Sequence, residues 1–316
     1  MTILGKAATA GRLVLRGDLR MIRIQIRQRT AGFRIRLHGG RPFVYRDMGF
    51  PFTYQPDWPD SVDYFRMHDG DWWELRAIAR WLEPGDVVFD VGSNLGLYAF
   101  AAAARIGPSG RAVAVDADAF IAGKLRESAR LLGTERVEPV HAAITRESGP
   151  VTFHVRADRH HTGGQSLKPT PEDRAACVPV EVPGRTLSGL ASEMGFRRIP
   201  AFVKIDIEGA EAMALESAPA DWFGAGGPLW IIEINPGALA NFGSDPQSVT
   251  RHFPAEFFDR WLLPKDPILP EATTALRRFN PEAPLTDSRY YNFLAIPKSP
   301  DSRARAGRIR GFFPSD

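Results

Sequence analysis

"VVFDVGSNLGLYAF" occupies residues 87–100. Its first five residues are apolar apart from Asp90, which reads as a buried strand with an acid near its carboxyl end. Gly92, Asn94 and Gly96 follow as a tight turn, and "LGLYAFAAAARIG" (95–107) continues as a helix. In open α/β sheets ligands settle outside the carboxyl ends of the strands, and glycines there let a ligand approach the backbone. The next strand, "RAVAVDAD" (111–118), ends in Asp116, about twenty residues beyond the glycine loop. An acid at that place can accept two ribose hydroxyls.

The loop is G-x-N-x-G, not the dinucleotide pattern G-x-G-x-x-G. An acid two residues before it is a poor neighbour for a pyrophosphate. It suits a positive centre, such as the amino group of S-adenosylmethionine.

Working outward, strands and helices alternate. "DGDWWELRAIARWLEPGD" (69–86) places Trp72, Leu75, Ile78, Ala79 and Leu82 at helical spacing and stops at Pro84-Gly85. Residues 120–133 form a second helix after the glycine loop, 137–144 a third strand and 150–155 an added edge strand. Residues 202–209, 229–235 and 290–297 complete the strands, with a helix over 210–218. This order predicts an α/β, doubly wound sheet. The proline-rich, polar stretches 156–185 and 262–288 read as long loops.

The beginning of the chain differs. Residues 2–20 read as a short amphipathic helix. Residues 21–28, 33–37 and 42–46 alternate apolar and polar and predict three strands of a small antiparallel cap with an Arg-bearing face. The first 46 residues hold eleven Lys or Arg against one acid, Asp18, while the whole chain carries only +3. The expected organisation is a basic cap (1–68), an α/β domain (69–300) and a basic tail (301–316) that includes Arg303, Arg305, Arg308 and Arg310. A single cysteine, Cys177, excludes an internal disulfide. No run of eighteen apolar residues predicts a spanning helix, and Lys6 and Arg12 interrupt any secretory core. The expectation is a cytoplasmic protein, peripheral to a membrane through its Arg face.

"FVKIDIEGAEA" (202–212) adds three acids at the end of a core strand. Burying carboxylates is costly unless they are paired or hydrogen-bonded. Val203, Ile205 and Ile207 alternate with Lys204, Asp206 and Glu208, which predicts one polar side on which Lys204 offsets part of the charge. Glu211 falls in the first turn of the next helix, where an acid suits the dipole.

Taken together, "VVFDVGSNLGLYAF", "FVKIDIEGAEAMALES" and "LWIIEINP" resemble the FkbM family of S-adenosylmethionine-dependent methyltransferases over roughly residues 70–300. "GGQSL" (163–167) and "NFLAIP" also look familial. The resemblance implies a Rossmann-like class I methyltransferase sheet behind the small N-terminal β cap. It implies O-methylation of a hydroxyl, most often on a sugar or glycoconjugate. It places Asp90, Gly92, Asn94, Gly96 and Asp116 at the cofactor, with Ala143 near the adenine. Asp206 and Glu208 then act on the acceptor, either as a general base or by holding a divalent cation such as Mg²⁺. His161, with His160 beside Gly163-Gly164, is a rival base, and Glu233 a supporting acid. Two departures stand out. The second strand ends Asp116-Ala117 where such proteins have Glu-Pro, and Thr186-Leu187-Ser188 lacks the acid of the usual Thr-Leu-Asp. Two alternatives stay open: a nucleic-acid methyltransferase using the Arg face, and a cofactor-binding scaffold without turnover. "INPG" (234–237) resembles an Asn-Pro motif of nucleic-acid methyltransferases, but it follows strand five and lacks the stacking aromatic. Trp72, Trp73 and Trp81 are expected in the core.

Overall fold

Runs of Val, Ile, Phe and Ala flanked by glycines pair into the central sheet. In the computed structural model, residues 19–46, 49–67, 73–159, 162–196, 198–265, 276–283, 285 and 290–312 are described. The chain divides into two compact units, residues 1–71 and 72–316.

The first unit holds α1 (Leu19–Leu37), β1 (Phe43–Tyr45), β2 (Phe52–Tyr54) and α2 (Pro59–Met67). The strands expected over 21–28 and 33–37 are instead one 19-residue helix. The Ile-Arg alternation mimics a half-buried strand. Yet Met, Ile, Arg and Gln all sustain a helix, and no turn residue interrupts the stretch before Gly32. Gly39 and Gly40, both left-handed at φ 59° and 70°, end the helix with their N–H groups on the Arg36 and Ile35 carbonyls. The third expected strand is present as β1, antiparallel to β2 with Phe43 opposite Tyr54. The Phe43 and Tyr54 rings stack on each other and meet Phe65 edge to face. The helix expected over residues 2–20 lies almost wholly outside the described residues.

The second unit opens with α3 (Trp73–Trp81) and β3 (Val87–Val91), followed by α4 (Leu97–Ala103), β4 (Arg111–Asp116), α5 (Ala119–Leu131) and β5 (Val137–His141). Then come β6 (Ala143–Ile144), β7 (Gly149–Arg156), α6 (Pro171–Ala176), β8 (Cys177–Arg185), α7 (Leu187–Glu193) and β9 (Phe202–Ile205). After them run α8 (Glu211–Glu216), β10 (Leu229–Ile234), α9 (Pro236–Asn241), α10 (Pro246–Thr250), β11 (Phe258–Lys265), β12 (Arg277–Arg278), β13 (Tyr290–Pro297) and α11 (Pro300–Ile309).

The large sheet has the order β12-β11-β13-β10-β9-β3-β4-β5. The five strands from β10 to β5 are parallel, and β13 is antiparallel to both β10 and β11. The chain reverses its winding beside β3, so β3 and β9 flank the switch point where such sheets bind ligands. Phe89, Val203, Phe202, Trp230 and Phe253 are fully buried around these strands. Trp81 is buried as expected and donates its indole N–H to the Ala201 carbonyl at 2.8 Å. Trp72 lies outside the described residues.

Residues 150–155 do not edge the large sheet. β7 pairs antiparallel with β8 in a separate three-stranded sheet, β6-β8-β7. The stretch 156–185 is therefore not one loop, since it contains α6 and β8. Pro179 and Pro183 hide β8 in the sequence. They fit because β6 pairs with β8 only at Gly184 and Arg185, leaving most of that edge open. The stretch 262–288 likewise contains part of β11 and all of β12. Arg303, Arg305 and Arg308 lie on α11, where Arg305 pairs with Asp86 and Glu83, and Arg308 with Glu83 at 2.6 Å.

Candidate active site

Gly92 is where the two diagnostic stretches meet. Its φ is 74°, and a Cβ there would stand 1.8 Å from the Asp206 carbonyl oxygen. The Asp206 N–H in turn bonds the Val91 carbonyl at 3.0 Å. The glycine loop after β3 and the acidic turn after β9 are thus packed backbone to backbone, which only glycine permits.

Asp116, at the end of β4, accepts the Asn94 N–H on one carboxylate oxygen and the Asp118 N–H on the other, each at 2.9 Å. Burial pushes its pKa up to about 7, against the opposing pull of these N–H donors. Asp90 stands one residue before the end of β3. Its carboxylate accepts the Ala99 N–H at 3.0 Å, bracing the first turn of α4, and burial raises its pKa to about 7. Gly96 is a packing position, where a Cβ would meet Leu125 and Phe100.

β9 ends at Ile205, so the expected alternation of Lys204, Asp206 and Glu208 along one strand face stops there. Residues 206–209 turn instead, with Glu208 left-handed at φ 53° and Gly209 at 102°. Lys204 still meets Asp206, with Nζ 2.9 Å from Oδ2, and is 2% exposed. Glu211 braces this turn. Its carboxylate accepts the Ile207 N–H at 3.0 Å and the Gly209 N–H at 3.0 and 3.2 Å. Glu211 therefore acts on the backbone before its helix, and burial raises its pKa to about 7.

A cavity of about 200 Å³ opens between these loops. Gly92, Asn94, Asp116, Ala143, Asp206 and Glu208 all line it; Asp90 and Gly96 do not. Its apolar wall includes Ala117, Ala142, Ile144 and Phe153. At its acidic end, oxygens of Asp206, Glu208 and Glu233 lie within 4.8 Å of one another. Burial drives the Glu208 pKa well above the carboxylate range, and the neighbouring Glu233 and Asp206 charges add to the effect. Asn94, at φ 44°, and Glu208 both hold left-handed backbones at the cavity wall. Such strain in a non-glycine residue concentrates at functional sites.

His160 and His161 lie outside the described residues. The segment just after them reaches the cavity in a way the sequence did not indicate. Thr162 donates its hydroxyl to the Asn94 side-chain oxygen at 3.0 Å, and Ser166 donates to the Glu208 carbonyl at 3.0 Å. Thr162 and Gln165 line the cavity between these anchors. The stretch "GGQSL" marked the segment, but nothing in its spacing assigned a task to Gln165. The Asn235 side chain of "INPG" accepts the Ala238 N–H at 3.1 Å and caps α9. Thr186 caps α7 in the same way through the Gly189 N–H.

The family model of the methyltransferase FkbM domain matches residues 90–262, more than half of the chain. Among solved structures, the chain is similar to a SAM-dependent O-methyltransferase from Thermotoga maritima, at 15% identity and TM-score 0.34, over 71% of this chain and 63% of that one. It is similar to a methyltransferase FkbM from Methylobacillus flagellatus KT, at 14% identity and TM-score 0.38, over 73% and 53%. An rRNA methylase from Streptococcus thermophilus matches at 12% identity and TM-score 0.35, over 70% and 93%. The chain thus spans less than two thirds of the length of the first two. No curated protein is significantly similar to it. The match that joins the glycine loop to the acidic turn shows that the chain belongs to the FkbM methyltransferase domain family.

Proposed function

We propose that the chain transfers a methyl group from S-adenosylmethionine to a hydroxyl oxygen, on a sugar or glycoconjugate. The observation that carries this reading is the convergence of Asp206, Glu208 and Glu233 in the cavity that also holds Asp116 and the glycine loop. The residues present fit the cofactor. An ionised carboxylate accepts about four hydrogen bonds, so Asp116 keeps capacity for ribose hydroxyls beyond its bonds to Asn94 and Asp118. Ala117, Ala143 and Phe153 offer an apolar wall to a flat base. The acidic end complements a positive centre.

Bound there, S-adenosylmethionine supplies a methyl group already activated on a sulfonium. The chain's own residues then have two tasks. The braced loops fix the acceptor oxygen in line, and one carboxylate takes the hydroxyl proton. Glu208 is matched to the second task, because its burial makes it avid for a proton. Lys204 pairs with Asp206 beside it, Nζ to Oδ2 at 2.9 Å. The same three carboxylates are spaced to hold Mg²⁺ or Mn²⁺, which would act by lowering the hydroxyl pKa.

Incubation with methyl-labelled cofactor and extracts of the parent cells tests the reading. Label is expected in a carbohydrate-containing product, stable to base as an ether. Label in RNA or DNA, or none above a boiled control, overturns it. Loss of turnover with a chelator and its return with Mn²⁺ separates the metal route from the general base. We also propose that the Arg-rich N-terminal unit meets an anionic membrane surface. Among the described residues no helix is long and apolar enough to cross a membrane.

A further inference from the structure

Gln165 is 6% exposed and lines the cavity, yet neither its side-chain oxygen nor its nitrogen has a hydrogen-bond partner among the described residues. A buried donor and a buried acceptor left open together each destabilise the fold. A protein retains such a group where something else completes it.

The register of a single bridge locates the carboxamide. His154 of β7 pairs antiparallel with Ser166, and the His154 N–H bonds the Ser166 carbonyl at 3.0 Å. Val155 therefore stands opposite Gln165, and Phe153 opposite Leu167. Residues directly opposite share a face, and alternate residues share it too. Phe153, Val155, Gln165 and Leu167 thus face the same way. Phe153 and Val155 pack in one cluster with Ala117 and Ala143, and Leu167 packs against it. This apolar wall adjoins Asp116, which Ala117 follows directly, and Asp116, Ala117, Ala143, Phe153 and Leu167 line the same cavity. Gln165 is the one polar side chain of the four that share the bridge's face.

We infer that Gln165 reads the purine edge of the cofactor. The inference rests on the cofactor assigned above. A ribose held at Asp116 directs its base toward the Ala117–Ala143 wall. Adenine presents an amino donor beside a ring-nitrogen acceptor, and a carboxamide presents the complementary acceptor and donor. Two parallel hydrogen bonds satisfy both open atoms of Gln165 at once. Gln165 is then a specificity-determining residue for the base, held in place by the Thr162–Asn94 and Ser166–Glu208 bonds on either side.

Calorimetric binding of S-adenosyl-L-homocysteine, and of the same thioether carrying unsubstituted purine in place of adenine, tests this without turnover. The wild-type protein is expected to bind the adenine form about ten-fold or more tightly than the purine form, the worth of a lost buried hydrogen bond. In Gln165→Leu, adenine affinity falls by about ten- to a hundred-fold and the preference disappears. Gln165→Glu, the same shape without the donor, also loses affinity. The ligand-free Gln165→Leu protein melts no lower than wild type, since two open polar groups are removed. A Leu variant that keeps the wild-type affinity and preference overturns the assignment, as does one whose only change is a lower melting temperature. Failure of the wild-type protein to bind the adenine form at all overturns the cofactor reading instead.

Discussion

Glu208 and Asp206 face one cavity but are held differently. Asp206 is paired with the buried Lys204, whereas Glu208 has a left-handed backbone and a strongly raised pKa. This difference separates their expected roles. Glu208→Gln keeps shape while removing basicity, so kcat is expected to fall by about 10²-fold or more, the usual loss of a general base. A base must be ionised to accept a proton. The wild-type rate should therefore rise with pH through the raised pKa, and Glu208→Gln should flatten that rise. Asp206→Asn should lower kcat and keep the rise but displace it to lower pH, because it removes a charge that raises the pKa of the base but not the base itself. Affinity for S-adenosyl-L-homocysteine stays within a few-fold in both variants. Unchanged kcat at saturating cofactor in both, with cofactor affinity weakened well beyond a few-fold, would make these acids part of the cofactor site or the scaffold.

At the scale of elements, the site is two short turns fixed against each other, and Glu211 holds the second. Its carboxylate ties down the Ile207 and Gly209 N–H groups from inside the core. Glu211→Ala leaves both donors buried and open, a cost of roughly 1–3 kcal/mol each. We expect a melting temperature lower by several degrees and loss of turnover, with Glu211→Gln recovering part of both because its amide oxygen still accepts. A variant with normal melting and activity would dismiss the brace. These turns were legible in the sequence because their signals are local: Asp90, Gly92, Asn94 and Gly96 in seven residues, and Asp206, Glu208 and Glu211 in six. So were β3, β4, β9 and β10, whose largely apolar runs carry at most one charged residue inside them. The sequence misled where the pattern was ambiguous or the partner distant. Ile22, Ile24 and Ile26 alternate like a strand within a helix. Pro179 and Pro183 mask β8, whose open edge tolerates them. Gln165 gains its meaning only from a bridge between Ser166 and His154, a pairing that no spacing rule anticipates.

The whole molecule carries its buried acids as a pH-dependent load, and its basic unit as a surface. Asp90, Asp116 and Glu211 are each raised by burial from ordinary carboxylate values to about 7. Between about pH 4 and 7 the folded state therefore binds protons that the unfolded chain has released. Their contribution to stability is full below the unfolded value and is lost as pH rises through about 7. The ligand-free protein should melt at a higher temperature at pH 5.5 than at pH 8, and Asp90→Asn should shrink the difference. A melting temperature that climbs over this interval would contradict the burial account. In the N-terminal unit, Ile26, Phe33 and Leu37 of α1 are 56%, 57% and 67% exposed. Their spacing of seven and four places them along one helical face with Thr30, and the exposed Arg29 and Arg36 flank it. An apolar stripe bordered by Arg fits the interface of an anionic bilayer, where burial of the stripe and attraction to lipid charge add together. The full chain is expected to sediment with vesicles containing phosphatidylserine, less so as salt rises, and not with purely phosphatidylcholine vesicles. Substituting Phe33 and Leu37 with Ser should abolish sedimentation while S-adenosyl-L-homocysteine affinity stays unchanged. Sedimentation that survives this double substitution but vanishes in salt would reduce the contact to charge alone. Absence of sedimentation with either vesicle would leave the stripe without a membrane role.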